Sequence, residues 1–321
     1  MTEIAQEAEA ALRAWGGASS PPRLVTHREN AVFEVVLADG RHAALRLHRR
    51  EYQSAGAIRS ELRWTLALAR AGLAVPEPIP AGSGDLVACL PTGRVASVVA
   101  WVEGRPLGAA YHPLVGSVAE QCAMFSAVGR MLAALHDATD AMVLPEGFTR
   151  PSWDEGGLLG PEPFWGRFWD NPALTSAEAE VLQTARARAL DKLADYRAAG
   201  ADYGLIHADL MRENILVDGS QLRLIDFDDC GFGFRLYDLA TLMLQNLAEP
   251  AYPNLLQAAL DGYGAVRPLG AADIALLPMF VMLRCFASCG WAVPRMAQDD
   301  PKLRFYAERA LQQARLFLDG A

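Results

Sequence analysis

Lysine is almost missing from this 321-residue chain. Of 29 basic residues, Lys192 and Lys302 are the two lysines, and both lie in its second half. An anion held by the N-terminal half must therefore be met by arginine, whose planar fork does not substitute freely for an ammonium. Cysteine is sparse as well. Cys89, Cys122, Cys230, Cys285 and Cys289 are odd in number and lack the spacing of a zinc ribbon or a disulfide framework. They predict reduced core thiols, a cytoplasmic protein and no structural metal. No apolar run reaches the roughly 18 residues expected of a membrane span. The acidic, amphipathic N-terminus is unlike a secretory signal. Excess positive charge is absent: the net charge of −9 argues against broad attraction to nucleic acid or an anionic membrane. There is no internal repeat and no low-complexity tail. What remains, 52% hydrophobic and 21% charged, is a globular composition long enough for one large domain or two lobes.

One stretch carries chemistry. Leu205 to Leu239 reads LIHADLMRENILVDGSQLRLIDFDDCGFGFRLYDL, with His207, Asp209 and Asn214 in the pattern His-x-Asp-Leu-x-x-x-Asn and Asp226 twelve residues further on in Ile-Asp-Phe. Between them, two short apolar runs flank Asp218-Gly219-Ser220, a hairpin signature. A hairpin brings its outer ends, Asn214 and Asp226, side by side. Magnesium-assisted phosphoryl transfer from ATP needs this set: one carboxylate to orient the attacking hydroxyl and accept its proton, and a carboxylate with an amide oxygen to hold the metal. Asp209 takes the first role and Asn214 with Asp226 the second. His207 is expected to be structural, its ring bonded to nearby backbone.

With these motifs the sequence resembles the aminoglycoside phosphotransferase and choline kinase family of small-molecule kinases with a protein-kinase-like fold, in particular its homoserine-kinase-type-II-like branch. The resemblance runs from Leu24 to about Leu318. It implies an α+β, bilobal protein-kinase-like fold, with an antiparallel-sheet N-lobe and a mainly helical C-lobe. It also implies that Asp238 bonds the catalytic-loop backbone. Ala208 departs from the family's usual His-Gly pair.

The elements along the chain agree with that order. Residues 3–15 predict an amphipathic helix closed by Gly16-Gly17. VFEVVLA and HAALRLH around Asp39-Gly40 predict an antiparallel hairpin, Ser54 to Ala71 a helix, and LVACL and VASVVAWV two more strands. The polar Glu103-Gly104-Arg105-Pro106 suits an inter-lobe linker, giving a nucleotide-binding lobe over 1–102 and a catalytic, substrate-binding helical lobe over 103–321. Residues 118–137 and 175–199 predict helices, 145–174 an irregular stretch, and 236–321 a series of helices.

Further candidates follow from position. AALR at 43–46 occupies the place of the kinase strand motif Val-Ala-Ile-Lys, so Arg46 is the phosphate-binding cation and Glu61 its ion-pair partner. The loop Thr26 to Phe33 has no glycine, and Asn30 stands there as a phosphate-side candidate. Val99 to Val102 is the expected hinge, with the backbone of Ala100 and Val102 at the adenine edge. Asp228 is a supporting or substrate-contacting carboxylate. Trp165 and Trp169 either anchor their excursion in the core or lie over the acceptor. The expected activity is ATP- and magnesium-dependent phosphorylation of a small hydroxylated metabolite such as homoserine, an amino alcohol or an aminoglycoside-like compound. A protein Ser/Thr kinase of the stress-response type and a nucleotide-binding pseudokinase regulator are the alternatives. A two-metal phosphoesterase lacks its additional His and Asp clusters.

Overall fold

The computed structural model describes residues 3–27 and 30–320. Its first elements are α1 (Glu3–Leu12), β1 (Arg23–His27), β2 (Ala31–Val36), β3 (His42–Leu47), α2 (Ala55–Arg70), β4 (Val87–Cys89), β5 (Val95–Ala100) and β6 (Arg105–Pro106). Then come α3 (Val118–Asp140), β7 (Ser152–Trp153), α4 (Glu155–Leu159), α5 (Ser176–Ala198), β8 (Tyr203–Ile206), β9 (Ile215–Asp218), β10 (Gln221–Leu224) and β11 (Gly231–Phe234). Helices α6 (Arg235–Leu244), α7 (Tyr252–Gly264), α8 (Ala271–Ala292) and α9 (Pro301–Asp319) complete the series. Two compact units result. The first comprises residues 1–107, 141–150 and 214–228, the second the remainder.

In the first unit, alternation of apolar and polar residues builds the sheet. Ala31, Phe33 and Val35 of β2, and Ala43, Leu45 and Leu47 of β3, are buried on one face, as a period of two requires. The five strands run in the order β1-β2-β3-β5-β4, each pair antiparallel. Ala8, Leu12 and Trp15 pack on that face, and the Trp15 indole donates to Ile79 O at 2.7 Å. Ser54 caps α2 by accepting from Ala57 N, which fixes where that helix begins. A second small sheet, β10-β9-β6, belongs to the same unit. The expected linker is thus partly a strand: Arg105 and Pro106 pair with Val217 and Leu216. Gly104, at φ 134°, meets Leu216 closely enough that a Cβ would lie 3.0 Å away. The hairpin 214–228, which a boundary at residue 102 assigns to the C-terminal part, packs with the first unit.

The second unit is mainly helical around a small sheet, β7-β11-β8. Thr175 and Glu178 form a capping box at the start of α5. Every residue of α6 is buried. The expectation about apolar runs needs correction. Ala271–Ala292 is long and apolar enough, at mean hydropathy 1.7, to pass for a membrane span by composition. Here α8 is a core helix, packed on α6 and α9, with Arg284 in its middle. The stretch expected to be irregular, 145–174, holds β7, α4 and a short 3₁₀ turn.

Candidate active site

The first unit gathers one set of the expected residues. On β3, Arg46 lies between buried Leu45 and Leu47 and so points to the opposite face. Its Nη1 is 2.9 Å from Glu61 Oε1, its Nη2 3.5 Å from Asp226 Oδ1, and its Nη1 3.9 Å from Asp228 Oδ1. Glu61 is buried on α2, with Arg150 Nη1 3.9 Å from its other oxygen. Arg150 also donates to the carbonyls of Ala57 and Asp228, tying α2 to the Asp-Phe-Asp turn. The two ends of the central pair respond differently. Glu61, buried and near the carboxylates of Asp228 and Asp226, is pushed up to about 7 despite Arg46 and Arg150. Arg46, desolvated but facing three carboxylates, is held charged.

The sign of the consequence follows from linkage. A carboxyl whose folded-state value lies above its unfolded one binds its proton more tightly when folded. Its contribution is full below about 4.5 and is lost as the pH rises through about 7. Melting temperatures of wild type and Glu61→Gln, followed across that window, should therefore differ in slope, the wild type falling relative to the variant as the pH rises. Parallel curves would mean that Glu61 does not titrate there.

The hairpin positions the metal-type ligands. Ile215 pairs with Leu224 and Ile225 N donates to Asn214 O at 3.0 Å, so Asn214 and Asp226 emerge at one end of β9–β10. Asp226 adopts φ 66°, the left-handed region that aspartate tolerates better than most residues. Phe227 is buried edge-on to Trp64, ring centroids 5.4 Å apart, and anchors the turn under α2. The donors are one carboxylate and one amide oxygen. Among the described residues no group of three or more His, Cys, Asp and Glu could hold a metal. Few hard oxygens fit magnesium, which keeps waters and phosphates as its other ligands, better than zinc.

At the expected hinge, Ala100 N donates to Glu77 O at 2.8 Å and Trp101 N to His42 O at 3.1 Å. Adenine recognition there would fall to Val102 and the Ala100 carbonyl. Asn30 accepts from Arg49 N at 2.8 Å, which joins the end of the loop to the end of β3. Arg28 and Glu29, in the middle of the loop 26–33, lie outside the described residues.

The second unit gathers the other set. Asp238, fully buried on α6, accepts from His207 N at 2.9 Å, from Ala208 N at 2.7 Å and meets His136 Nε2 at 3.1 Å. Burial pushes its carboxyl up, but the hydrogen bond from His136 and the charge and backbone donors around it win, leaving it below the usual range. Ala208 sits at φ 65°, so the departure from glycine strains the loop by roughly 1 kcal/mol, which the bonds to Asp238 offset. Asp209 N donates to His207 Nδ1 at 3.3 Å, consistent with a structural ring. The Asp209 carboxylate meets Arg284 Nη2 at 2.9 Å.

Removing Asp238 strands two backbone donors and a buried imidazole. Asp238→Ala should lower the unfolding free energy by about 3–5 kcal/mol, read as a fall in the urea midpoint. A change below about 1 kcal/mol would show that the loop is held by other bonds.

Sequence reasoning missed Arg150, His136 and Arg284, which act from distant segments without a local motif. Trp165 and Trp169 are both more than nine-tenths buried. Trp169 packs on Phe168 and under Arg186, in the core. Trp165 lies edge-on to Trp153 and beneath the guanidinium of Arg284, 4.5 Å from ring centre to Cζ, which brings it next to the partner of Asp209.

Comparison with known proteins points to one family of enzymes. The model of the phosphotransferase enzyme family (APH) matches residues 23–272. A homoserine kinase of Chelativorans sp. (strain BNC1) is 33% identical over 239 residues, spanning 69% of this chain and 65% of that protein. The solved structure of a microcompartment-associated aminopropanol kinase is 31% identical, with a TM-score of 0.85 and 98% of each chain covered. An amicoumacin kinase solved with AMP-PNP and Ca2+ is 21% identical and shares the fold, with a TM-score of 0.76 over 98% of this chain and 94% of that one.

Proposed function

The chain belongs to the phosphotransferase enzyme family, whose members here are kinases of small-molecule hydroxyl groups, and from that premise we propose that it transfers the γ-phosphate of ATP, with magnesium, to a hydroxyl of a small metabolite. Homoserine, an amino alcohol or an aminoglycoside-like compound would each fit. The observation that supports this most is the Arg46–Glu61 pair standing 3.5–3.9 Å from Asp226 and Asp228, in a chain with no lysine before Lys192. In the proposed reaction Arg46 meets the α- and β-phosphates, and Glu61 with Arg150 fixes its direction. Asn214 and Asp226 would hold the magnesium, which when bound supplies charge neutralisation on the phosphates. Asp209 orients the acceptor hydroxyl and takes its proton, while Asp238 keeps the loop in place. Asn30, Ala100 and Val102 serve the nucleotide, Asp228 supports the Arg46 cluster, and Trp165 supports the acceptor side beneath Arg284, while Trp169 packs in the core.

The test is ATP consumption by the purified protein against a library of hydroxylated metabolites and a set of protein substrates. Acceptor-dependent, magnesium-dependent turnover with one or a few small alcohols is expected. Turnover with proteins alone, or nucleotide binding with no turnover under any condition, would replace this reading with a protein kinase or a regulator.

A further inference from the structure

We propose that Arg284 is a positioning residue for Asp209: it holds the carboxylate in one orientation for the acceptor hydroxyl and sets a cation beside it. This rests on the kinase reading above. Arg284 stands in the middle of the apolar helix α8 and is 3% exposed. A guanidinium in such a place is tolerated only when its donors are matched. Its Nη2 binds Asp209 Oδ1 at 2.9 Å and its Nη1 donates to Ser288 Oγ at 2.7 Å, yet its buried Nε finds no partner. A buried pair with an unmatched N–H is a poor stabiliser compared with an apolar side chain of similar size. Stability is therefore a weak reason for an arginine here, and the group it touches is a stronger one.

The fork is also held in one orientation. The guanidinium lies over Trp165, and Trp165 is fixed by the close crossing of Gly166 and Gly290, where a Cβ on Gly290 would come within 2.3 Å of Gly166 O. Met211 Sδ borders the fork at 3.9 Å. Arg212, the basic residue of the catalytic loop itself, is buried and bound to Asn246, Glu249 and the His112 carbonyl. The cation at Asp209 thus comes from α8. In the transfer, the acceptor oxygen bonds to the γ-phosphorus as the bond to the ADP oxygen breaks, and the hydroxyl proton passes to the carboxylate. A carboxylate held by Arg284 is already oriented when the acceptor arrives, without reorganisation during the step.

The experiment uses the full chain with an acceptor found in the screen, and compares Arg284→Met, Arg284→Lys, Asp209→Asn and the double variant Asp209→Asn/Arg284→Met. Arg304→Met, at an ion pair on α9, is the control. Arg284→Met should lower kcat by roughly 10–100-fold, leave KM for ATP within about twofold, and leave the melting temperature unchanged or raised. Arg284→Lys should recover part of kcat, and the double variant should turn over no more slowly than Asp209→Asn alone, the mark of two groups acting as a unit. A kcat in both Arg284 variants within about twofold of wild type overturns the assignment alone. So does a loss that is additive with Asp209→Asn and tracks a fall in melting temperature. Silence of the wild type with every acceptor overturns the kinase reading and this assignment together.

Discussion

Asp209→Ala should lower kcat by on the order of 10²–10⁴-fold, the usual cost of removing a positioned acid–base group. Nucleotide affinity should stay nearly constant, because the role proposed for Asp209 is toward the acceptor hydroxyl and not the nucleotide. The substitution also strands the buried guanidinium of Arg284, so a melting curve must accompany the kinetics. Asp209→Asn keeps the shape and an oxygen for that guanidinium, and serves as the cleaner variant. Near-normal turnover in either, with a folded protein, would remove Asp209 from the mechanism.

Arg46→Ala should lower kcat/KM for ATP by about 10²-fold, the magnitude seen when one preorganised electrostatic donor is lost. Arg50→Ala, which loses an ion pair with Glu7 at 3.0 Å, should have little effect. Arg46→Lys should recover only part of the activity, since a point charge cannot meet Glu61, Asp226 and Asp228 along the two arms of a fork. Small and equal effects at positions 46 and 50 would mean that the phosphates are met by another group, and would favour a regulator over an enzyme.

The fold was readable where local physics decides it. Alternation in β2 and β3, the Asp-Gly turns at 39–40 and 218–219, and the caps at Ser54 and Thr175 each act within a few residues. The candidate set was readable for the same reason, its members lying at short, fixed spacings around one hairpin. Arg46 and Glu61 needed a further step, from the missing lysine to a pair on adjoining elements. Arg150, His136 and Arg284 were invisible because each reaches its partner across 75 to 102 residues, where no local pattern marks the pairing. For Arg284 the surrounding apolar run was itself misleading, since it reads as uninterrupted core. The division of the chain was also hidden: Arg105 and Pro106 carry linker letters, yet their backbone completes a sheet with strand β9.

The first unit is assembled from three separate stretches, and the chain passes between units after residues 107, 140, 150, 213 and 228. A ribosome delivers this chain from its N-terminus, so the five-stranded sheet emerges early while the final stretch of its unit is withheld until residue 228 has been made. Until then Trp64 waits without Phe227, and Arg46 and Glu61 face each other without Asp226 or Asp228. The sheet and the core packed on it can thus form early, whereas the α2 side of the unit stays unfinished until contacts of long sequence separation, which form slowly, are made. The same threading means that a gene cut at the linker would yield a front half missing the end of its own unit, so duplication or exchange of the sheet alone is a poor route for evolving new members of this architecture.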